Sequence, residues 1–319
     1  MNLTNDKART HPPHAAIDDW QAEDGWKIRR FRLSQPEGST VRGSILFAGG
    51  RGDFIEKYLE TLSYWYDRGW NVESFDWRGQ GGSGRNASGS NLGHIDDFAR
   101  WMSDYQAYYA DWKSRTPGPH VVMGHSMGGH LVLRALGEGL AKPDAAVLIA
   151  PMLGFRNMVP NRVGQQAARF MMAVSSPEGA GWKHSEKPGA LEKHRAALLT
   201  HDEKRYADEL FWREENAALG LGPATWQWIK AAYDSMIKIG DPAFLQGIKT
   251  PALFLSASAD KLVDAASTVK AAGIIPDAQI YSYGGESAHE ILREVDAVRD
   301  DALNRIDRFL DGEAPAKGK

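Results

Sequence analysis

The chain has 319 residues, 42% hydrophobic and 25% charged, with a formal net charge of −3. That suits a globular protein with one large domain, or one domain carrying an insertion, and no basic block calls for nucleic acid. With no cysteine, disulfides, thiolate catalysis and cysteine-ligated zinc drop out, and a reducing compartment fits.

The start, MNLTNDKART HPPHAAIDDW, is polar and has no apolar h-region, so no signal peptide is read. No apolar run approaches the ~18 residues of a membrane span. The cytoplasm is the default expectation, and the closing GEAPAKGK reads as a frayed tail. VRGSILFAG, Val41 to Gly49, is short, β-branched and closed by glycines, the pattern of a buried strand. Phe54, Tyr58, Leu62 and Tyr66 then recur every four residues as a helix face. WNVESFDW is the next strand. Ile95, Phe98, Met102, Tyr105, Tyr109 and Trp112 mark a second helix. HVVMG predicts a strand, Leu131 to Leu140 a helix, and AAVLIAP another strand.

From about Met152 to Gly240 the alternation stops. Only helical patterns appear, and the segment holds Trp182, Trp212, Trp226 and Trp228. Strands resume with Ala252 to Ser258 and Ala278 to Tyr283. A last helix places Ile291, Val295, Val298, Ala302, Ile306 and Phe309 on one face. Apolar strands alternating with helices imply a doubly wound, mostly parallel α/β sheet covered on both faces. The expected division is a core of residues 1–151 and 246–319, with residues 152–245 as a helical cap.

Gly124-His125-Ser126-Met127-Gly128 matches G-x-S-x-G between a strand and a helix. A turn that tight strains the nucleophile's backbone and needs small neighbours, so the glycines make room for one exposed hydroxyl. Serine needs a base to take its proton, and the base needs an acid to orient it. In this arrangement the partners follow in the order acid, then histidine, at strand ends. SADKLVD supplies Asp260 and GGESAHEIL supplies His289. Asp264, four residues on, reads better as the N-cap of the helix beginning AASTVKAAG. An oxyanion hole needs two backbone N–H groups. Met127, after the nucleophile, is one, and FAGGRGDF supplies the other, with Gly50 preferred and Arg51 next. In FDWRGQGGSGR the Gly-Lys-Ser/Thr of a phosphate loop is missing, so its aspartate and arginine read as a brace for the loop.

GHSMGG, AGGRGDF, DWRGQGGSGR, SADKLVD and the late histidine together resemble the α/β-hydrolases over about Ile28 to Leu310. The nearest subgroup is monoacylglycerol lipase and lysophospholipase L2-like, the serine aminopeptidase-type hydrolases. The resemblance implies Ser126 as nucleophile, Asp260 as acid, His289 as base, Gly50 and Met127 as oxyanion donors, and a helical cap. It implies no cofactor and no metal, and a small acyl ester as substrate. Where monoacylglycerol lipases carry His-Gly, this chain has Ala48-Gly49. An aminopeptidase and a non-catalytic binding protein of the same fold stay open. In the cap, Trp226, Ile229, Tyr233 and Met236 keep helical spacing. They read either as packing within the cap or, for Trp226, Ile229 and Tyr233, as a wall for an acyl chain. An aromatic-rich cap also suits transient contact with a lipid surface. Cap glutamates Glu203, Glu209, Glu214 and Glu215 leave open a hold on a peptide amine.

Overall fold

The computed structural model describes residues 7–87, 91–156, 159–181 and 190–316. Eight strands form one sheet in the order β1-β2-β4-β3-β5-β6-β7-β8. They are β1 (Ala16–Gln21), β2 (Lys27–Leu33), β3 (Gly43–Ala48), β4 (Trp70–Phe75), β5 (His120–His125), β6 (Ala145–Ile149), β7 (Ala252–Ala257) and β8 (Ala278–Tyr283). From β4 to β8 the neighbours run parallel, and β2 alone runs the other way, antiparallel to both β1 and β4. Every residue of β3, β5, β6 and β7 is buried, as strands covered on both faces must be. The fold is that of an α/β-hydrolase.

One face carries α2 (Phe98–Arg115) and α3 (Met127–Gly137). The other carries α1 (Leu59–Tyr66) and the last helix, Asp296–Glu313. The predicted face of α2 is buried throughout, from Ile95 to Trp112. The hairpin β1–β2 is the part that apolar patterning does not reveal. In β2, Ile28, Phe31 and Leu33 are buried while Arg29, Arg30 and Arg32 alternate with them. Those arginines reach Glu56, Asp76 and Asp18, so ion pairs hold a strand that reads as charged.

Between β6 and β7 lie α4 (Asn161–Val174), α5 (Ala190–Leu199), α6 (Glu203–Glu215), α7 (Trp226–Ile239) and α8 (Pro242–Gln246). No strand occurs there among the described residues, and Trp182 lies outside them. After β7 come α9 (Ala265–Ala272) and, after β8, α10 (Asp296–Glu313). Among the described residues, no helix is long and apolar enough to cross a membrane.

Candidate active site

Ser126 stands between β5 and α3 with φ 52° and ψ −117°, a left-handed conformation that costs free energy in any residue but glycine. The turn is held from outside. Ser126 N–H donates to Ile149 O at 2.9 Å, and Met152 N–H donates to Ser126 O at 3.0 Å. The glycines are sterically obligatory. A Cβ on Gly124 would lie 2.7 Å from the Gly128 carbonyl carbon, and one on Gly128 would strike the Ala48 and Gly49 carbonyl oxygens.

Asp260 sits just beyond β7 and His289 just beyond β8, at the carboxyl edge where the elbow also lies. His289 Nε2 is 2.9 Å from Ser126 Oγ, and its Nδ1 is 2.6 Å from Asp260 Oδ2. The second Asp260 oxygen accepts from the N–H groups of Leu262 (2.7 Å) and Val263 (3.0 Å). Burial pushes the Asp260 carboxyl up, but His289 and those two N–H groups outweigh it and hold the carboxyl below its ordinary range. Burial pushes His289 down, and Asp260, with Glu290 and Asp53 behind it, lifts it above the usual imidazole value. A neutral histidine with Nδ1–H on a carboxylate presents a lone pair at Nε2 to the serine hydroxyl. Asp264 caps α9, accepting from Ala266 N–H, and takes no part in this chain of bonds.

Met127 opens α3, so its N–H has no partner within the helix. Gly50 differs from the expectation. Its N–H donates to Asp53 Oδ2 at 2.6 Å and is therefore committed to the turn. What Gly50 provides is space, since a Cβ there would sit 3.0 Å from Ser126 Cβ. Gly50 O accepts from Asp53 N–H at 3.3 Å. In a planar trans peptide the following N–H points the opposite way, so Arg51 N–H is directed out of the turn. Gly52 N–H donates to Gln80 Oε1 at 2.7 Å, and Trp77 Nε1 donates to Gly49 O at 2.8 Å. The 49–53 loop is thus held by two hydrogen bonds of its own and two from Gln80 and Trp77. Gln80 and Trp77 belong to the stretch whose charges read as a brace. There Asp76 pairs with Arg29 of β2 and accepts from Ile55 and Gly82 N–H, while Arg78 pairs with Asp24 and Asp104.

The stretch between β6 and β7 touches both loops. Arg51 donates to Gly222 O at 2.6 Å and lies over the Trp228 ring. Glu290 N–H donates to Leu199 O at 2.7 Å. Trp226, Ile229 and Tyr233, the residues expected to form an acyl wall, pack against neighbours within this stretch. Cβ atoms added at Gly179, Gly181 and Gly164 would meet Trp226, Ile229 and Tyr233 respectively, so these side chains pack α7 against α4 and the 179–181 turn. Trp228 of α7 also turns to the core, against Phe98 and Phe155, as Tyr233 does against Phe155. Glu209 is buried and paired with Lys57 and Arg195. Among the described residues no group of three or more His, Cys, Asp or Glu could hold a metal ion.

Residues 39–296 match the family described as "Serine aminopeptidase, S33". The chain belongs to this family. Among curated relatives, lysophospholipase L2 of Escherichia coli (strain K12) is 28% identical over 288 residues, covering 83% of this chain and 79% of the relative. A probable lysophospholipase L2 of Haemophilus influenzae is 26% identical over 290 residues, covering 89% and 88%. A soluble variant of monoglyceride lipase from Saccharomyces cerevisiae superposes with a TM-score of 0.75 at 19% identity, over 96% of this chain and 97% of that one. Paleococcus ferrophilus monoacylglycerol lipase gives 0.67 at 18% identity, over 89% and 98%. At such identities the two structures attest the fold.

Proposed function

We propose that this member of the family is a serine hydrolase of carboxylic esters, acting through Ser126, His289 and Asp260 by way of an acyl-enzyme. The observation that carries the reading is the unbroken chain from Ser126 Oγ to His289 Nε2 (2.9 Å) and from His289 Nδ1 to Asp260 (2.6 Å), on a strained elbow. His289 takes the Ser126 proton as Oγ attacks the ester carbonyl. The alcohol leaves with that proton; a water deprotonated by His289 then attacks the acyl carbon, and Ser126 Oγ leaves with the proton from His289 as the acid is released. Asp260 keeps Nδ1 protonated and offsets the imidazolium charge in both halves. Met127 N–H and Arg51 N–H hold the oxyanion, Arg51 taking the part because Gly50 N–H is bound to Asp53.

A monoacylglycerol- or lysophospholipid-like ester, or another small acyl ester, is the substrate class. Its support is the naming of relatives as lysophospholipase L2. Residues 152–245 form the cap in this reading, and α4 is its lipid-facing part. Val163, Phe170 and Val174 are 53%, 64% and 59% exposed and share one side of that helix, with Arg162 and Arg169 also exposed.

The test is intact mass after a fluorophosphonate probe, with Ser126→Ala beside the wild type. One adduct on the wild type and none on the variant supports the reading, while an unlabelled wild type favours a hydrolase-fold binding protein. A panel of monoacylglycerol, lysophospholipid and short p-nitrophenyl esters against aminoacyl naphthylamides then separates esterase from aminopeptidase. Faster turnover of the naphthylamides would overturn the ester assignment.

A further inference from the structure

Behind the histidine lies a second polar cluster to which the proposed mechanism gives no task. Lys57 is buried, and its ammonium lies 2.6 Å from Asp53 Oδ1, 2.7 Å from Glu290 Oε1 and 3.1 Å from Glu209 Oε2. Asp53 and Lys57 stand four residues apart across a 3₁₀ turn (Ile55–Tyr58), which brings the ammonium back over the carboxylate. Buried charges of this kind are poor stabilisers, because an apolar replacement of equal volume often does as well or better. Their retention calls for another reason, and the contacts of Asp53 give one.

Asp53 Oδ2 accepts from Gly50 N–H at 2.6 Å and from Tyr58 OH at 3.0 Å, and His125 Nδ1 lies 3.0 Å away. Gly50 precedes the oxyanion donor proposed above. His125 precedes Ser126, has its ring centroid 4.8 Å from that of His289 at a 55° tilt, and has its Nε2 at 3.4 Å from His289 O. Glu290, bound to the same lysine, follows His289 directly. One carboxylate therefore meets the oxyanion loop, the elbow and, at one remove through His125 and Lys57, the loop of the base.

We propose that Asp53 is a positioning residue, a buried carboxylate that sets the oxyanion loop and the His289 loop in register with each other. The inference rests on Ser126 and His289 acting as proposed above. The Gly49–Gly50 peptide is held at its oxygen by Trp77 and at its N–H by Asp53. Losing the second hold frees the peptide to rotate, and the direction of Arg51 N–H goes with it. Burial pushes the Asp53 carboxyl up, but Lys57 and His125 reverse this and keep it ionised.

The experiment compares wild type, Asp53→Asn and Asp53→Glu on a soluble p-nitrophenyl ester, with active sites counted by the fluorophosphonate probe and melting temperatures recorded. Asparagine keeps the shape but cannot serve Gly50 and Lys57 as an anion. Glutamate keeps the charge for Lys57 and displaces the carboxylate by a methylene. In both, kcat per titrated site falls about 10²-fold while KM stays within about threefold, the mark of misplaced groups rather than weaker substrate binding. Per-site kcat within about threefold of wild type in a folded variant overturns the proposal. So does failure of both variants to fold, which would make Asp53 a structural residue. A wild type that neither labels nor turns over sinks the hydrolase reading itself. A labelled, active wild type with undiminished variants sinks only the role of Asp53.

Discussion

Around Ser126, position is fixed many times over. The elbow is tied to Ile149 and Met152, the 49–53 loop to Trp77, Gln80 and Asp53, and His289 to Asp260. Along the outer side of α4 nothing comparable exists, and Val163, Phe170 and Val174 stand in solvent at 53%, 64% and 59% exposure. The other side of the same helix is ordinary packing, with Gly164 and Ala168 buried and Tyr233 of α7 against Gly164. Reacting groups need sub-ångström placement, and the chain meets that need with redundant hydrogen bonds. An apolar stripe with arginines beside it needs no fixed partner if what it meets is a fluid lipid surface. On the proposed reading, rigidity follows chemistry and apolar exposure follows delivery of substrate.

The sharpest way to break that contrast is at the acid. Asp260→Asn keeps the shape of the side chain but leaves His289 Nδ1 facing an amide, so the wrong tautomer is favoured. Turnover should fall by about 10³–10⁴ with the fold intact. Asp264→Asn, four residues away, removes only the charge from an N-cap, so turnover should stay within about twofold and stability should change by less than about 1 kcal/mol. Steady-state kinetics and melting curves of the two variants decide it. The reverse ranking would move the acid to Asp264 and undo the geometric argument.

That pair also shows what can be read from the chain alone. Strands β3 to β8, the glycine elbow and the order serine, aspartate, histidine are legible, because apolar runs, glycine spacing and strand ends are local signals. Asp264 as a cap is legible for the same reason. Strand β2 is not, since Arg29, Arg30 and Arg32 mask Ile28, Phe31 and Leu33, and only partners distant in sequence neutralise them. Gly50 as an oxyanion donor does not fit, because a side chain three residues on claims its N–H. The stripe of Trp226, Ile229 and Tyr233 reads first as packing and only second as an acyl wall. Periodicity shows that a helix has an apolar face but not what covers it, and here the cover is α4 together with the 179–181 turn. The exposed stripe on α4 itself has helical spacing, a signal that the aromatics of α7 outweigh.

A smaller effect sharpens the electrostatic side. The base works only when His289 is neutral, so kcat/KM should fall on the acid side through its pKa. Asp260, Glu290 and Asp53 raise that pKa, while burial lowers it, and the net position is above the ordinary imidazole value. Asp53→Asn removes one of the raising charges and leaves Lys57 less neutralised nearby. Both changes disfavour the imidazolium, so the acid limb of kcat/KM should move to lower pH. The groups facing the ring are Asp260, His125, Glu290 and Asp53, and only Asp53 changes in this comparison. A limb displaced upward, or one that stays in place, would mean that the cluster does not sense the base.

The smallest expected effect on chemistry lies at α4, and it tests the other half of the contrast. In Val163→Ser/Phe170→Ser, two side chains already in solvent become polar, so the fold loses nothing by the change. Turnover of a short soluble ester should remain within about twofold. A lipid surface would register the loss, because each large apolar side chain fully withdrawn from water contributes roughly 1.5–3 kcal/mol, and partial insertion gives a share of that. Arg162 and Arg169 add about 1 kcal/mol each toward an anionic surface, a contribution that salt screens. The variant should therefore float poorly with vesicles containing anionic lipid, and turnover of an acyl ester embedded in them should drop severalfold. Wild-type flotation should weaken as salt rises. Equal losses on soluble and embedded esters would place these residues in the stability of the insertion, against their exposure. Undiminished flotation of the variant would leave the stripe without a lipid role, and α4 would no longer stand as the counterpart of the rigid site.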